Sequence, residues 1–233
     1  MKIAVFGTGV VGQTIAEKLS SLGHGIMIGT RNVNDTLAKT APDNFGRPPF
    51  GEWLKNFPGI RTGTYAEAAA FGEFIVNATN GAGTLPALEL AGKINLADKM
   101  LLDISNPLDF SKGFPPSLSV CNTDSLAEQI QRNYPDTKVV KSLNTMNAFV
   151  MVNPGLLPED HTVFLSGNDD GAKAKVKELL KSFGWKEKNM MDLGDLTSAR
   201  GAEMLLPIWV RLYGVLKNPM YNFKIVTGTP PQM

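Results

Sequence analysis

Three glycines stand in the order Gly7-Thr8-Gly9-Val10-Val11-Gly12, directly after the apolar run Ile3-Ala-Val-Phe6. This spacing suits the pyrophosphate of a dinucleotide, provided that a strand precedes it and a helix follows. Gly7 permits a tight turn, Gly9 lets the backbone approach the phosphates, and Gly12 lets the helix pack near the strand. The free amides at the helix N-terminus then face the anion. Ile15, Leu19 and Leu22 recur on one helical face, so the required helix is expected.

A second polar group, Thr30-Arg31-Asn32, closes the next apolar stretch. NAD enzymes usually carry Asp or Glu here, on the ribose 2′-hydroxyl. No acid stands at this strand end, and Arg31 can hold a 2′-phosphate through charge-assisted, often bidentate hydrogen bonds. NADP(H) is therefore expected over NAD(H), with Thr30, Arg31 and Asn32 as its selectors.

Acid–base groups are sparse. His24 falls in a turn and His161 precedes a strand, and no His/Cys spacing fits a metal site. A G-x-S-x-G elbow is absent. Lys141-x-x-Asn144 has the lysine–asparagine spacing of hydroxyacid dehydrogenases, but there the pair lies on a helix and here it falls at a strand end. Direct hydride transfer between two bound cofactors needs positioning more than a proton shuttle, which fits this scarcity.

The elements that position these residues alternate. Strands are expected at 2–7, 25–30, 74–79, 99–105 and 138–143, with helices at 10–22, 64–71, 84–96 and 125–134. Ser125 and Glu128 have the spacing of a capping box. This pattern predicts a Rossmann-type, doubly wound, mostly parallel α/β sheet over 1–150, with a smaller C-terminal α/β part over 151–233. Ligands lie outside the carboxyl ends of such strands, so Ala78, Thr79, Asn80, Ser105, Asn106 and Pro107 should line the cofactor cleft. Met146 and Ala148 follow the last of these strands, near the nicotinamide or a second ligand.

Residues 33–63 hold Pro42, Pro48, Pro49 and Pro58 among Phe45, Phe50, Trp53 and Phe57. They read as a loop-rich insertion with one short helix near 51–55, packed on the sheet in preference to forming a lid. Strands are expected at 162–167 and 189–193, flanking a helix capped by Asn168-Asp-Asp170. One long apolar helix over 198–216, kinked at Pro207, should be buried in the core or against another subunit. A homodimer through it is expected, and the strand-like tail 221–226 is a candidate to cross over.

Composition excludes several classes. A net charge of +1 gives no reason to expect nucleic acid or an anionic membrane as partner. The single cysteine, Cys121, excludes an internal disulfide, and it is read as a packing residue in a cytoplasmic protein. No apolar run reaches the roughly 18 residues of a membrane span.

Taken together, Gly7–Gly12, Leu22-Gly-His24, Gly29-Thr-Arg31, Lys141-Ser-Leu-Asn-Thr-Met146, Phe164–Asp169, Asp192-Leu-Gly194, Ala199-Arg200 and Glu203 resemble the coenzyme F420-dependent NADP oxidoreductase family. The same module is similar to the oxidoreductase domain of the STEAP metalloreductases, which pairs NADPH with a flavin. The resemblance implies that Thr8, Gly9, Val10 and Val11 contact the phosphates, and that Thr8, Thr30 and Arg31 hold the 2′-phosphate. It places Ala78, Thr79 and Ser105 at the nicotinamide ribose, and Met146 and Ala148 where two rings stack. The implied reaction passes hydride between nicotinamide C4 and deazaflavin C5. The 33–63 insertion and the Asn106–Phe110 loop depart from the archaeal pattern, so a flavin acceptor, or a small carbonyl or imine substrate, also enters consideration. A non-catalytic NADP(H)-sensing module is the reading from a different class.

Overall fold

A computed structural model describes residues 1–43 and 46–231. Phe45 lies outside the described residues. The chain opens with β1 (Lys2–Phe6), α1 (Val10–Ser21), β2 (Gly25–Thr30), α2 (Val33–Leu37), α3 (Phe50–Leu54) and β3 (Ile60–Thr64). It continues through α4 (Tyr65–Phe71), β4 (Phe74–Asn77), α5 (Gly81–Ala91), α6 (Lys93–Leu96) and β5 (Met100–Asp103). A two-stranded hairpin, β6 (Leu108–Asp109) with β7 (Ser117–Leu118), precedes α7 (Leu126–Asn133), β8 (Lys138–Ser142) and α8 (Ala148–Val152). Last come β9 (Val163–Gly167), α9 (Asp170–Phe183), β10 (Met190–Asp192), α10 (Ala199–Met204) and α11 (Leu206–Leu216).

One sheet of eight strands runs in the order β10-β9-β8-β5-β4-β1-β2-β3. All neighbours are parallel except β8 with β9, so the sheet is continuous across residue 150. Side chains alternate between faces along each strand. Ile3, Val5, Phe74, Val76, Leu102 and Val140 meet α1, α8 and α9 on one face. Ala4, Phe6, Ile75, Leu101 and Val139 meet α4, α5 and α7 on the other.

Local chemistry sets the helix starts. Thr64 Oγ1 accepts the Glu67 amide at 3.2 Å, while the Glu67 carboxylate accepts the Thr64 amide at 2.7 Å, a complete capping box for α4. Replacing Thr64 by Ala should cost about 1 kcal/mol of stability, read as a lowered urea midpoint with unchanged slope. Ser125 caps α7 by accepting the Glu128 amide, but the Glu128 carboxylate turns to the Ser125 hydroxyl and to Arg200. The expected reciprocal box is therefore half formed there, because the guanidinium competes for the acid.

Other expectations also change. The insertion contributes a true edge strand: β3 pairs in parallel with β2 over Ile60–Thr64, and its sparse apolar content suffices because an edge strand needs less cover. Phe50, Trp53 and Phe57 stack in series and pack on the core, as a packing role requires. The helix expected from residue 84 begins earlier, at Gly81, since Asn80 Oδ1 accepts the Gly83 amide at 2.7 Å and caps α5. The single helix expected over 198–216 is two, divided at Leu205, with Pro207 in the first turn of the second. Only Leu206 and Val210 of α11 are buried, whereas Val215 is 78% and Leu216 53% exposed. Its apolar residues run around the helix, so one contact face cannot cover them. Residues 221–226 form no strand. They lie along the start of β9, with the Thr162 amide donating to Phe223 O and Asn222 Nδ2 donating to Thr162 O. Cys121 is exposed, so it is no packing residue.

Candidate functional site

The carboxyl ends of β1, β2, β4 and β5 open onto a cleft in two joined parts. The larger, about 720 Å³, is lined by Gly7–Val11, Thr30–Asn32, Asp35, Thr36, Lys39, Tyr65 and Ala78–Asn80. The smaller, about 500 Å³, shares Val11, Ala78, Thr79 and Asn80, and adds Ile104, Ser105, Asn106, Leu108, Asp109 and Phe110.

The glycine turn has the features a pyrophosphate needs. Gly7 adopts φ +114°, and its amide donates to Gly29 O at 3.1 Å. No side chain caps the N-terminus of α1, which leaves its first amides free toward the cleft. A Cβ on Gly9 would meet no atom within 4 Å, so the space over the turn is open. These residues fit a dinucleotide.

At the far end of the larger part, Thr30 is buried and its hydroxyl shares a 2.8 Å hydrogen bond with Thr36. Asn32 caps α2 by accepting the Asp35 amide at 3.1 Å. The Arg31 side chain lies exposed in the cleft, near enough to Tyr65 to oppose the rise that burial gives the phenol. Lys39 and Asp35 join it here, and sequence reasoning missed both. Asp35 reaches the cleft from α2 itself and Lys39 from the turn just beyond its end, since α2 spans only Val33–Leu37.

Polar groups fix the floor where the two parts meet. The Thr79 hydroxyl donates to Asn77 Oδ1 at 2.7 Å, and Asn77 Nδ2 donates to Asp103 Oδ1 at 2.8 Å. Ser105 donates its hydroxyl, at 2.7 Å, and its amide to the same Asp103 oxygen. Lys141 Nζ donates to Asp103 Oδ2 and to Glu203 Oε1, each at 2.8 Å, and to the Ser105 carbonyl. Burial pulls the Lys141 ammonium down, but Asp103 and Glu203 more than reverse this and hold it above its ordinary value. It is fully buried and faces none of the cleft, so it is no acid–base catalyst. Replacing Lys141 alone by Met strands two buried carboxylates and should cost about 3–5 kcal/mol, measurable as a lowered denaturation midpoint.

Of the residues expected at the site, Gly7 to Val11, Thr30 to Asn32, Ala78 to Asn80, Ser105 and Asn106 come together in the cleft. Gly12 lies beneath it, against the Gly7 carbonyl. Pro107 is buried behind it, close to Gly81. Met146 and Ala148 line neither part of it. Both are 5% exposed, because the chain turns inward after β8 and carries Met146 into the core against which Val11 packs. Asp109 is the one titratable group among the described residues lining the smaller part. Hydrogen bonds from the Ser111 amide and hydroxyl hold its carboxyl below the usual range. Among the described residues, no group of three His, Cys, Asp or Glu could hold a metal, and no helix is long and apolar enough to cross a membrane.

A mostly parallel sheet with a glycine turn at its first strand end and a cleft over four strand ends defines a dinucleotide-binding protein of the Rossmann type. The family model for coenzyme F420-dependent NADP oxidoreductases matches residues 2–107. A crystal structure from Arthrobacter sp. FB24, of a candidate F420-dependent NADP reductase, is 55% identical with a TM-score of 0.91, over 97% of this chain and all of that one. This chain belongs to the coenzyme F420-dependent NADP oxidoreductase family. It is an NADP-dependent oxidoreductase by that membership. The metalloreductase STEAP3 of Rattus norvegicus is 26% identical over 213 residues, which are 89% of this chain and 38% of that protein. The chain thus spans less than two fifths of that relative's length. An imine reductase of Streptomyces aurantiacus, 14% identical with a TM-score of 0.61, covers 93% of this chain with 64% of its own and shares the fold alone.

Proposed function

We propose that the chain passes hydride between NADP(H) in the larger part of the cleft and a deazaflavin of the coenzyme F420 type, or a flavin, in the smaller part. The observation that carries this reading is the lining of the smaller part. Val11, Ala78, Ile104, Leu108 and Phe110 offer an apolar wall suited to a flat ring, and the one titratable group among the described residues there, Asp109, has its carboxyl held below the usual range by Ser111. Reduction of a carbonyl or imine calls for a positioned proton donor. The two hydroxyls at the junction, Thr79 and Ser105, already donate to Asn77 and Asp103.

Each part of the chain has a defined task. The Gly7–Val11 turn holds the pyrophosphate, and Thr8, Thr30, Arg31 and Lys39 take the 2′-phosphate. Ala78, Thr79 and Ser105 border the nicotinamide ribose, and the Leu108–Phe110 hairpin covers the acceptor. The bound nicotinamide supplies the hydride, and the protein supplies distance and orientation. The exposed residues Ile208, Val215 and Leu216 of α11 suit a homodimer interface, which sedimentation equilibrium would test.

The deciding experiment is anaerobic stopped-flow oxidation of NADPH with F420, FMN and FAD offered in turn. Rapid oxidation by F420 alone, or by a flavin, supports the reading and selects the acceptor. Oxidation only by cyclic imines or ketones, or binding with no oxidation by any acceptor, sinks it.

A further inference from the structure

The carboxyl end of the sheet carries a lateral row that belongs to neither part of the cleft. Strand register aligns Asn77 with Asp103, Asp103 with Lys141, and Lys141 with Ser166, across β4, β5, β8 and β9. The row lies on the α4, α5 and α7 face, directly above an apolar layer of Ile75, Leu101 and Val139. Asp103, Lys141 and Glu203 are each at most 1% exposed.

This much buried charge needs every partner satisfied, and the partners lead in two directions. Toward the cleft, one oxygen of Asp103 receives Asn77 and both donors of Ser105, and Asn77 in turn receives Thr79. Toward the C-terminal part, Glu203 of α10 accepts Lys141 and also the Leu126 and Ala127 amides, at 2.8 and 3.2 Å, which begin α7. A second tie runs alongside. Asn144 Nδ2 donates to Asn106 Oδ1 and to Ala202 O, and Asn106 Nδ2 donates back to Asn144 O. The loop after β5 is therefore held from below by Lys141 and from the side by Asn144, and both are anchored on α10.

We propose that Lys141 is a positioning residue for hydride transfer: clamped between Asp103 and Glu203, it fixes the Ser105 carbonyl and, through Asp103, the two hydroxyls at the junction of the cleft. This inference rests on the reading that Thr79 and Ser105 border the nicotinamide ribose. The Gly7–Val11 turn and the Thr30–Asn32 end of the larger part share no hydrogen bond with the clamp, so binding and ring placement should separate.

The test is the pair Lys141→Met with Glu203→Gln. It removes the clamp, leaves the net charge of the cluster unchanged, and keeps Asp103 with its Asn77 and Ser105 donors and an amide oxygen facing the start of α7. Three quantities are read on the full chain: the denaturation midpoint, NADPH affinity by fluorescence titration, and the single-turnover rate of NADPH oxidation. The fluorescence lifetime of bound NADPH reports nicotinamide order independently of turnover. The expected result is unchanged affinity, a shortened or heterogeneous lifetime, and a rate lower by about 100-fold, as for a misplacement of about 1 Å. Full rate and lifetime in the pair overturn the proposal. So does a fall in affinity and midpoint that accounts for the whole loss of rate. Should the pair fail to fold, Glu203→Gln alone decides, with a smaller fall in rate at unchanged affinity expected and an unchanged rate overturning it. Failure of the unaltered chain to bind NADPH defeats the cofactor reading, and the present inference falls with it, in an arm that no variant touches.

Discussion

Replacing Arg31 by Ala is expected to weaken NADPH binding by about 1.5–3 kcal/mol, the range for a hydrogen bond to a charged group, and to leave NADH binding nearly unchanged. The loss corresponds to about a 10- to 150-fold rise in Kd. The asymmetry follows from where Arg31 stands. It is exposed at the end of β2, in the part of the cleft bounded by Thr30, Asn32, Asp35 and Lys39. A 2′-phosphate there meets two cations and one carboxylate, whereas a bare ribose gives Arg31 nothing to neutralise. Arg binds phosphate through a planar fork and Lys acts as a point charge, so Lys39→Ala should cost less than Arg31→Ala. Asp35→Asn should tighten NADPH, because it removes the one carboxylate among the described residues lining that part of the cleft. Isothermal titration with both cofactors decides the matter. Equal losses for NADPH and NADH on removing Arg31 would move the 2′-phosphate elsewhere, and a gain for NADH would assign Asp35 to the ribose hydroxyls.

How much of this was legible in the sequence varied with the range of the interaction involved. The glycine turn, the strand ends and the cofactor side of the cleft follow from local patterns: a run of apolar residues, three glycines, then a helical face. Those patterns specify backbone conformation, and the cleft inherits its position from it. The Lys141 cluster was visible only as a doubtful catalytic spacing. Asp103, Lys141 and Glu203 are far apart in the chain, and only strand register and the placement of α10 bring them together. The edge strand β3 was missed because Ile60-Arg-Thr-Gly-Thr64 is weakly apolar, and an edge strand is held as much by backbone pairing with β2 as by burial. Met146 stands close to a strand end but lines neither part of the cleft. The chain turns inward at that point, which no periodicity in so short a segment records. The apolar surface that α11 leaves exposed in the single chain was not legible for a related reason. Apolar content on all sides of a helix says that it needs cover, and the segment alone does not say what covers it.

The glycine turn gives the other large effect, and it separates stability from binding. A Cβ on Gly12 would lie 2.0 Å from the Gly7 carbonyl oxygen. Both atoms belong to backbone pinned between β1 and α1, so no flexible side chain can yield. Gly7 cannot retreat, since its φ is +114° and its amide is bonded to Gly29 O across the sheet. Gly12→Ala should therefore destabilise the fold by about 3 kcal/mol or more, the upper part of the range for overpacking, a drop in Tm of about 6–12 °C for a chain of this size. Gly9→Ala should behave in the opposite way. Gly9 has φ −78° and ψ −176°, which any residue adopts, and its Cβ would touch no protein atom. Its Tm should stay where it is. The added methyl instead projects into the space assigned to the pyrophosphate, and NADPH and NADH should lose affinity alike, about tenfold or more, through loss of a hydrogen bond to a charged group. Differential scanning calorimetry and titration on the two variants distinguish the roles. Stability lost at Gly9 would mean that the open space over the turn is filled by protein. Affinity retained there would take the phosphates away from the N-terminus of α1, and with them the orientation that places one end of the dinucleotide at Arg31 and the other over Ser105.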